Sequence, residues 1–289
     1  MNRFGFIFTL CKMVMSLYLI ACIFLLLLLQ IITFPMVIIN RKSMVWVMDW
    51  YNRHFASACL FLLRIGNKNA IEVQYINEKQ RNKLEDRQES LLIISNHICA
   101  FDGTLLAMIS KRFQMNPRFI CKSELRWIPV IGWGMYLSDY LFIKRAWSID
   151  CERIKKWCTK QSSGISLVIY PEGTRFTQSK QKESAEYTQK KGLSTLRNVL
   201  YPRTKGYNLC VNSLPSPPFS AILNVTMVYL VNGRREEPPS FLSCVSQRVP
   251  GIFKIIVERE SITQDVKNAE YLVSKFKEKD LMISQYCSV

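Results

Sequence analysis

From Met13 to Ile39 the chain is almost wholly apolar, broken only by Ser16, Gln30, Thr33 and Pro35. A helix rises about 1.5 Å per residue, so about 20 such residues match a hydrocarbon core about 30 Å thick. The run is long enough to cross a bilayer, with Pro35 as its predicted kink or end. A cleaved leader would have a shorter core, about 7–15 residues, and a small-residue cleavage site, so an uncleaved anchor is predicted. Next, over Met44–Ile65, Trp46, Trp50, Phe55 and Phe61–Leu63 are interleaved with Asp49, Arg53 and His54. The apolar part here is too short to span, which predicts a helix lying in the interface. The two segments could also form a hairpin dipped into one leaflet, and the sequence leaves spanning and dipping both open. Arg41, Lys42, Arg53, Arg64 and Lys68 follow the long run, against Arg3 and Lys12 before it. For a single crossing, that bias puts the bulk of the chain in the cytosol. The expected division is a membrane anchor with its interfacial helix over 1–68 and a second domain over 69–289.

Within the polar connector 71–90, Ile71, Val73 and Tyr75 alternate as one short strand. Beyond Ser90 the pattern changes to short apolar runs separated by helix-like stretches. Strands are predicted at Leu91–Ser95, Arg118–Cys121, Tyr140–Lys144, Ile165–Tyr170, Ala221–Leu230 and Ile252–Glu258. Helices are predicted at Gly103–Lys111, Ile149–Lys160, Ala185–Asn198 and Val266–Met282. Strands alternating with helices predict an α/β domain, its largely parallel sheet flanked by helices and preceded by the membrane helix or hairpin. Chemistry in such sheets gathers in loops at the C-terminal ends of the strands.

Composition narrows the partners. Lys and Arg outnumber Asp and Glu by 39 to 22, a formal net charge of +17 over 289 residues. Such an excess implies an anionic partner: a nucleic acid, an anionic bilayer or a phosphorylated substrate. The hydrophobic N-terminus favours the bilayer, and no zinc-finger spacing or RNA-binding signature supports nucleic acid. Ten cysteines are scattered without a C-x-x-C pair, so reduced thiols are expected rather than a disulfide framework or a metal site.

Candidate chemistry falls at the strand ends. His97, one of only two histidines, follows the strand LLIIS, and Asp102 lies five residues on. On a regular helix that spacing would hold the side chains about 140° apart. A strand-to-helix turn can instead bring them together, with Asp102 fixing the tautomer and leaving the other ring nitrogen as a base. By itself His–x4–Asp is a weak signal, and a histidine that merely caps the helix fits it as well. Context comes from ISLVIYPEGTR over 165–175. Pro171 ends a buried strand, Gly173 permits a tight turn, and Thr174 and Arg175 offer a hydroxyl and a guanidinium suited to phosphate. Lys122 and Lys144-Arg145 end two further strands and add cations to the same predicted edge.

These residues resemble the glycerolipid acyltransferases of the lysophosphatidic acid acyltransferase (PlsC-like) family, in order, from about Leu91 to Tyr229. Asn96-His97 through Asp102 is similar to that family's NHx4D motif, Phe142–Arg145 to FIxR and Glu172–Arg175 to EGTR. Lys122, Glu124, Leu125, Pro129 and Gly132 resemble its K-x-E-L…P…G stretch. EGTRFT followed by Gly192-Leu193 and YPRTKGY (Tyr201–Tyr207) resembles the eukaryotic branch that includes the lysocardiolipin and lysophosphatidylinositol acyltransferases.

The resemblance implies acyl transfer from acyl-CoA, as a substrate, to a lysophospholipid such as lysophosphatidic acid or lysophosphatidylinositol, with no metal and no bound cofactor. It assigns His97 as general base and Asp102 as its partner. Lys122, Arg145, Glu172, Gly173, Thr174 and Arg175 are assigned to substrate binding. It further implies the endoplasmic reticulum membrane, with the active domain facing the cytosol or the interface. The polar last forty residues predict no further anchor. Three alternatives remain: a thiolate mechanism through Cys99, a catalytically silent lysolipid-binding scaffold, and acylation of glycerol 3-phosphate itself.

Overall fold

The computed structural model describes residues 3–35, 39–76, 90–113, 115–161, 166–213, 219 and 221–287. Helix α1 (Arg3–Thr33) carries the long apolar run, of which Thr9–Ile32 is long and apolar enough to cross a membrane by length and composition. Helix α2 (Arg41–Gly66) starts at Asn40, whose side chain accepts the Ser43 N–H.

One stripe of α1, Lys12, Leu19, Leu26 and Gln30, is buried, while Leu17, Ile20, Phe24, Leu25 and Ile31 are exposed. Near one end the Lys12 ammonium donates to the carbonyls of Leu62 and Gln247, both at 3.0 Å. Near the other, Gln30 Nε2 donates to the Val130 carbonyl at 2.9 Å. These anchors lie about 27 Å apart at helical rise. α1 therefore rests along the folded domain over most of its length and turns an apolar face outward. α2 buries Met48, Cys59, Leu62 and Leu63 and exposes Trp46, Trp50 and Phe61.

The remaining elements are β1 (Ile71–Ile76), β2 (Leu91–Ser95), α3 (Asp102–Arg112), β3 (Pro117–Lys122), a 3-10 turn (Ser123–Trp127), α4 (Ile131–Leu137) and β4 (Leu141–Ile143). Then follow α5 (Trp147–Lys160), β5 (Ser166–Ile169), α6 (Gln178–Lys190), α7 (Thr204–Ser213), β6 (Ala221–Val231), β7 (Arg234–Arg235), α8 (Phe241–Ser246), β8 (Ile252–Ser261) and α9 (Ala269–Ser284). The eight-stranded sheet runs β1-β8-β6-β2-β5-β3-β4, with β7 on β6. From β6 through β2, β5 and β3 to β4 every pairing is parallel, and β8 meets β6 antiparallel. Both faces are covered, which is why the central strands read as unbroken apolar runs. In β2, Leu91 and Ile93 enter the core on one side, with α2 and α3, and Leu92 and Ile94 the core on the other, with α5, α7 and α9. A buried bidentate pair, Arg118 to Asp49 at 2.7 and 2.6 Å, ties β3 to α2.

The helix expected at Ala185–Asn198 begins and ends earlier, at Gln178–Lys190. Thr177 caps α6 through the Lys180 N–H, and Lys190 ends it, with Gly192 at φ +64° just beyond. Leu196, inside the expected span, and Val199, just after it, enter the core from a non-helical segment. Helices α4, α7 and α8 were not expected.

Candidate active site

β2 hands over to the site through Asn96. Its side chain donates to the Met227 carbonyl at 2.9 Å and accepts the Met227 N–H at 2.8 Å. The amide thus takes the place of one more ladder step against β6, so the main chain can leave the sheet with its partner's polar groups satisfied. The turn that follows delivers His97, and Asp102 opens α3. His97 Nδ1 lies 2.8 Å from Asp102 Oδ2, which also accepts the N–H groups of Ile98 at 2.6 Å and Cys99 at 3.1 Å. An oxygen already accepting two N–H groups acts as acceptor toward the ring as well, so Nδ1 carries the proton and Nε2 the free lone pair. The turn therefore closes the distance that a regular helix would have opened.

Access divides the pair. The Asp102 side chain is 0% exposed and that of His97 23%. The imidazole stacks on the Tyr170 ring with centroids 4.3 Å apart, and Nε2 has no partner among the described residues. Such an arrangement can take a proton from a bound molecule while its orienting carboxylate stays sealed from water.

Glu172 sits beneath the histidine, buried. One carboxylate oxygen accepts the His97 N–H at 2.6 Å and the other the Leu200 N–H at 2.8 Å. The His97 carbonyl in turn accepts the Phe176 N–H at 2.8 Å. The strand-end turns after β2 and β5 are thus joined through the main chain of the histidine itself. Burial raises the Glu172 carboxyl to about 8, against the downward pull of those two N–H groups and of Lys279. This residue, expected to bind substrate, is placed where it positions His97.

Lys279, from α9, is fully buried and was not singled out in the sequence. It donates to the carbonyl of Val225 at 2.7 Å and that of Ile94 at 3.4 Å, joining β6 to the end of β2 two residues from the Asn96–Met227 pair. Burial lowers its amine to about 7, opposed by the charges of Glu172, Glu258 and Glu260 and reinforced by Lys275.

Around this core the other expected residues share the strand-end edge. Gly173 is at φ +70°, and a β-carbon there would lie 3.3 Å from Arg203 Nε. Its carbonyl accepts Arg145 Nη2 at 2.8 Å, and Arg145 itself has φ +64°. A positive φ in a residue other than glycine is strained and clusters at functional sites. Asp150, at the start of α5, accepts the N–H groups of Lys144 and Ala146 and holds that corner. Thr174 is half-buried, and Arg175 is exposed without a partner among the described residues. Lys122 is exposed and pairs with Glu124 at 3.3 Å. Arg203 joins this group from the loop before α7, where its N–H meets the Pro171 carbonyl at 2.8 Å. The YPRTKGY string was its only sequence signal.

Cys99 Sγ donates to Asp102 Oδ1 at 3.1 Å, and burial together with that carboxylate pushes its thiol far above the ordinary value. A thiolate here is disfavoured.

Comparison with known proteins gives a consistent set of similarities. The family described as Acyltransferase matches residues 70–207, a stretch that contains His97, Asp102, Lys122, Arg145, Glu172–Arg175 and Arg203. A protein named probable 1-acyl-sn-glycerol-3-phosphate acyltransferase 5 from Arabidopsis thaliana is 28% identical over 70% of this chain and 54% of its own length. 1-acyl-sn-glycerol-3-phosphate acyltransferase delta from Bos taurus is 28% identical over 69% of this chain and 53% of its own. The chain spans about half the length of these relatives. The crystal structure of the 1-acyl-sn-glycerophosphate (LPA) acyltransferase PlsC from Thermotoga maritima covers 90% of the chain at 14% identity, with a TM-score of 0.43.

Proposed function

We propose that this chain is a member of the PlsC-like lysophosphatidic acid acyltransferase family and transfers a fatty acyl group from acyl-CoA to the free hydroxyl of a lysophospholipid. The observation that carries the reading is the contact of His97 Nδ1 with the sealed Asp102 carboxylate, on the sheet edge that also gathers Arg145 and Arg175. His97 Nε2 takes the acceptor hydroxyl proton as that oxygen bonds to the thioester carbonyl carbon. The tetrahedral centre then collapses, the carbon–sulfur bond breaks, and the departing sulfur takes the proton from the imidazolium. Ester and free CoA are the products, and Asp102 stabilises the transient positive ring. Arg145, Arg175 and Lys122 hold the phosphates of the substrates, and the Gly173–Thr174 turn brings the main chain close to them.

The membrane reading follows from α1. Both ends of its buried stripe are bonded to the folded domain, an arrangement that favours a helix lying in one leaflet over one that carries its start across the bilayer. The endoplasmic reticulum, with the catalytic edge at the cytosolic interface, is the proposed location.

The test is a panel of lysophospholipids with labelled acyl-CoA, and glycerol 3-phosphate as a separate arm. Labelled diacyl product from a lysophospholipid is expected. Product from glycerol 3-phosphate alone would move the acceptor to the unacylated compound, and none at all would favour a lysolipid-binding scaffold. Two variants refine the site. Arg175→Ala is expected to raise the KM for the acceptor about tenfold or more, with a smaller change in kcat, as a charge-assisted hydrogen bond to phosphate is lost. An unchanged KM would remove Arg175 from the phosphate site. Cys99→Ser is expected to keep transfer within a few-fold, because the proton moves through His97 and not through a thiolate. Loss of transfer in a normally folded Cys99→Ser chain would instead favour an acyl-cysteine intermediate.

A further inference from the structure

Between β3 and the end of α4 the chain forms an exposed apolar protrusion. Trp127 is 72% exposed and Ile131 61%, with Ile128 and Trp133 beside them and Trp147 and Ile149 exposed after β4. The shape is built rather than loose. Ile128 N–H bonds to the Leu125 carbonyl, Gly132 N–H to that of Ile128, and a β-carbon at Gly132 would overlap the Leu125 carbonyl. Large apolar side chains clustered outside a core mark a contact surface.

The surroundings say what that surface meets. Gln30, on the buried stripe near the C-terminal end of the apolar helix α1, bonds to Val130, so the protrusion is fastened beside the end of that helix. Cations rim it. Arg126 lies over the Trp127 and Tyr136 rings at 4.8 and 5.7 Å, and Arg41 over Tyr136 at 5.4 Å. Lys122 precedes the protrusion, and Lys144 and Arg145 precede Trp147; all three are exposed. Tryptophan amid arginine and lysine suits the headgroup zone of a membrane with anionic lipids. A second copy of the chain, net +17, would bring the same cations face to face.

We propose that the 125–133 protrusion, with Trp147 and Ile149, is a second membrane-contact element, seating the mouth of the catalytic edge on an anionic lipid surface. It opens beside the cations of the site: Glu124, in the 3-10 turn, feels the charges of both Lys122 and Arg145, and Arg145 bonds to Gly173. A lysolipid could then move from the leaflet to His97 without crossing water. The inference goes beyond acyl transfer and does not depend on which acceptor is used.

The experiment uses the full chain in phosphatidylcholine–phosphatidylserine vesicles, with bromine on the lipid chains near the headgroup. In a variant keeping only Trp127 among its tryptophans, emission is expected to shift to the blue and be quenched by the brominated lipid. In the otherwise intact chain, Trp127→Phe is expected to remove part of that quenching, so the result does not hang on the folding of the single-tryptophan variant. The double change Trp127→Ser, Ile131→Ser is expected to lower the transfer rate to a bilayer-embedded acceptor about tenfold, and to spare a short-chain soluble one. Trp127 quenched by acrylamide and not by brominated lipid would overturn the proposal. So would protection that depends on protein concentration and not on lipid, the mark of self-association. The fluorescence readout stands even if no acyl transfer is found, which separates this proposal from the enzymatic one.

Discussion

His97→Ala is expected to lower acyl-CoA-dependent transfer by about 10²–10⁴, the usual contribution of a positioned general base. The fold should survive, because the anchors of the turn around His97 lie mostly outside its ring: the Asn96–Met227 pair, and the His97 N–H and carbonyl bonds to Glu172 and Phe176. Asp102→Asn separates orientation from charge. The amide oxygen can still accept hydrogen bonds from the ring or from the Ile98 and Cys99 N–H groups, but the amide can also donate to Nδ1 and select the wrong tautomer. Its loss should be comparable in kcat and leave acceptor KM nearly unchanged. Rates measured on purified chains, with thermal unfolding as the control, check both. Activity of His97→Ala within a few-fold of the native chain would remove the histidine from the chemistry.

The second large effect is on stability. Lys279→Met removes the buried donor shared by the carbonyls of Val225 and Ile94, a type of change that costs about 1–3 kcal/mol. The cost should depend on pH. Glu172, raised to about 8 in the fold, holds a proton that the unfolded chain has already lost, so its contribution falls as pH rises from the ordinary carboxylate range toward 8. Lys279, lowered to about 7, has the opposite effect: above that pH the unfolded chain holds the extra proton, and stability rises with pH. The native chain carries both slopes and the variant only the first, so the gap should widen by about 1.4 kcal/mol or less between pH 6 and pH 8. Denaturant unfolding in detergent at those two pH values measures it. A gap that stays constant or narrows would show that Lys279 keeps its proton in the fold over that range.

What the sequence revealed, and what it hid, follows the distance between partners. β2 and β5 were legible because a strand covered on both faces must be apolar throughout, and LLIIS and SLVI are. His97 and Asp102 lie close enough in sequence for the turn between them to be inferred. Glu172 was noticed as part of a motif, but its position beneath His97 depends on β5 lying beside β2, which no local pattern states. Lys279 was invisible for the same reason, reaching Ile94 across a separation of 185 residues. The misplaced helix at Ala185–Asn198 shows a different failure. The expected span ran on to Asn198, yet Gly192 had already turned the chain away, and Leu196 enters the core from a non-helical segment. Lys12 counted only as a cation before the apolar run and Gln30 as an interruption of it; each is a polar contact that fastens α1 to the domain.

The most direct measurement follows the acyl group itself in a single turnover. Purified native chain in lipid vesicles is mixed with acyl-CoA labelled in the acyl chain and with lysophosphatidic acid. Direct transfer at His97 predicts labelled phosphatidic acid appearing in step with free CoA, with no label on the protein at any time. Label retained on the protein, or CoA released without the diacyl product, would contradict it.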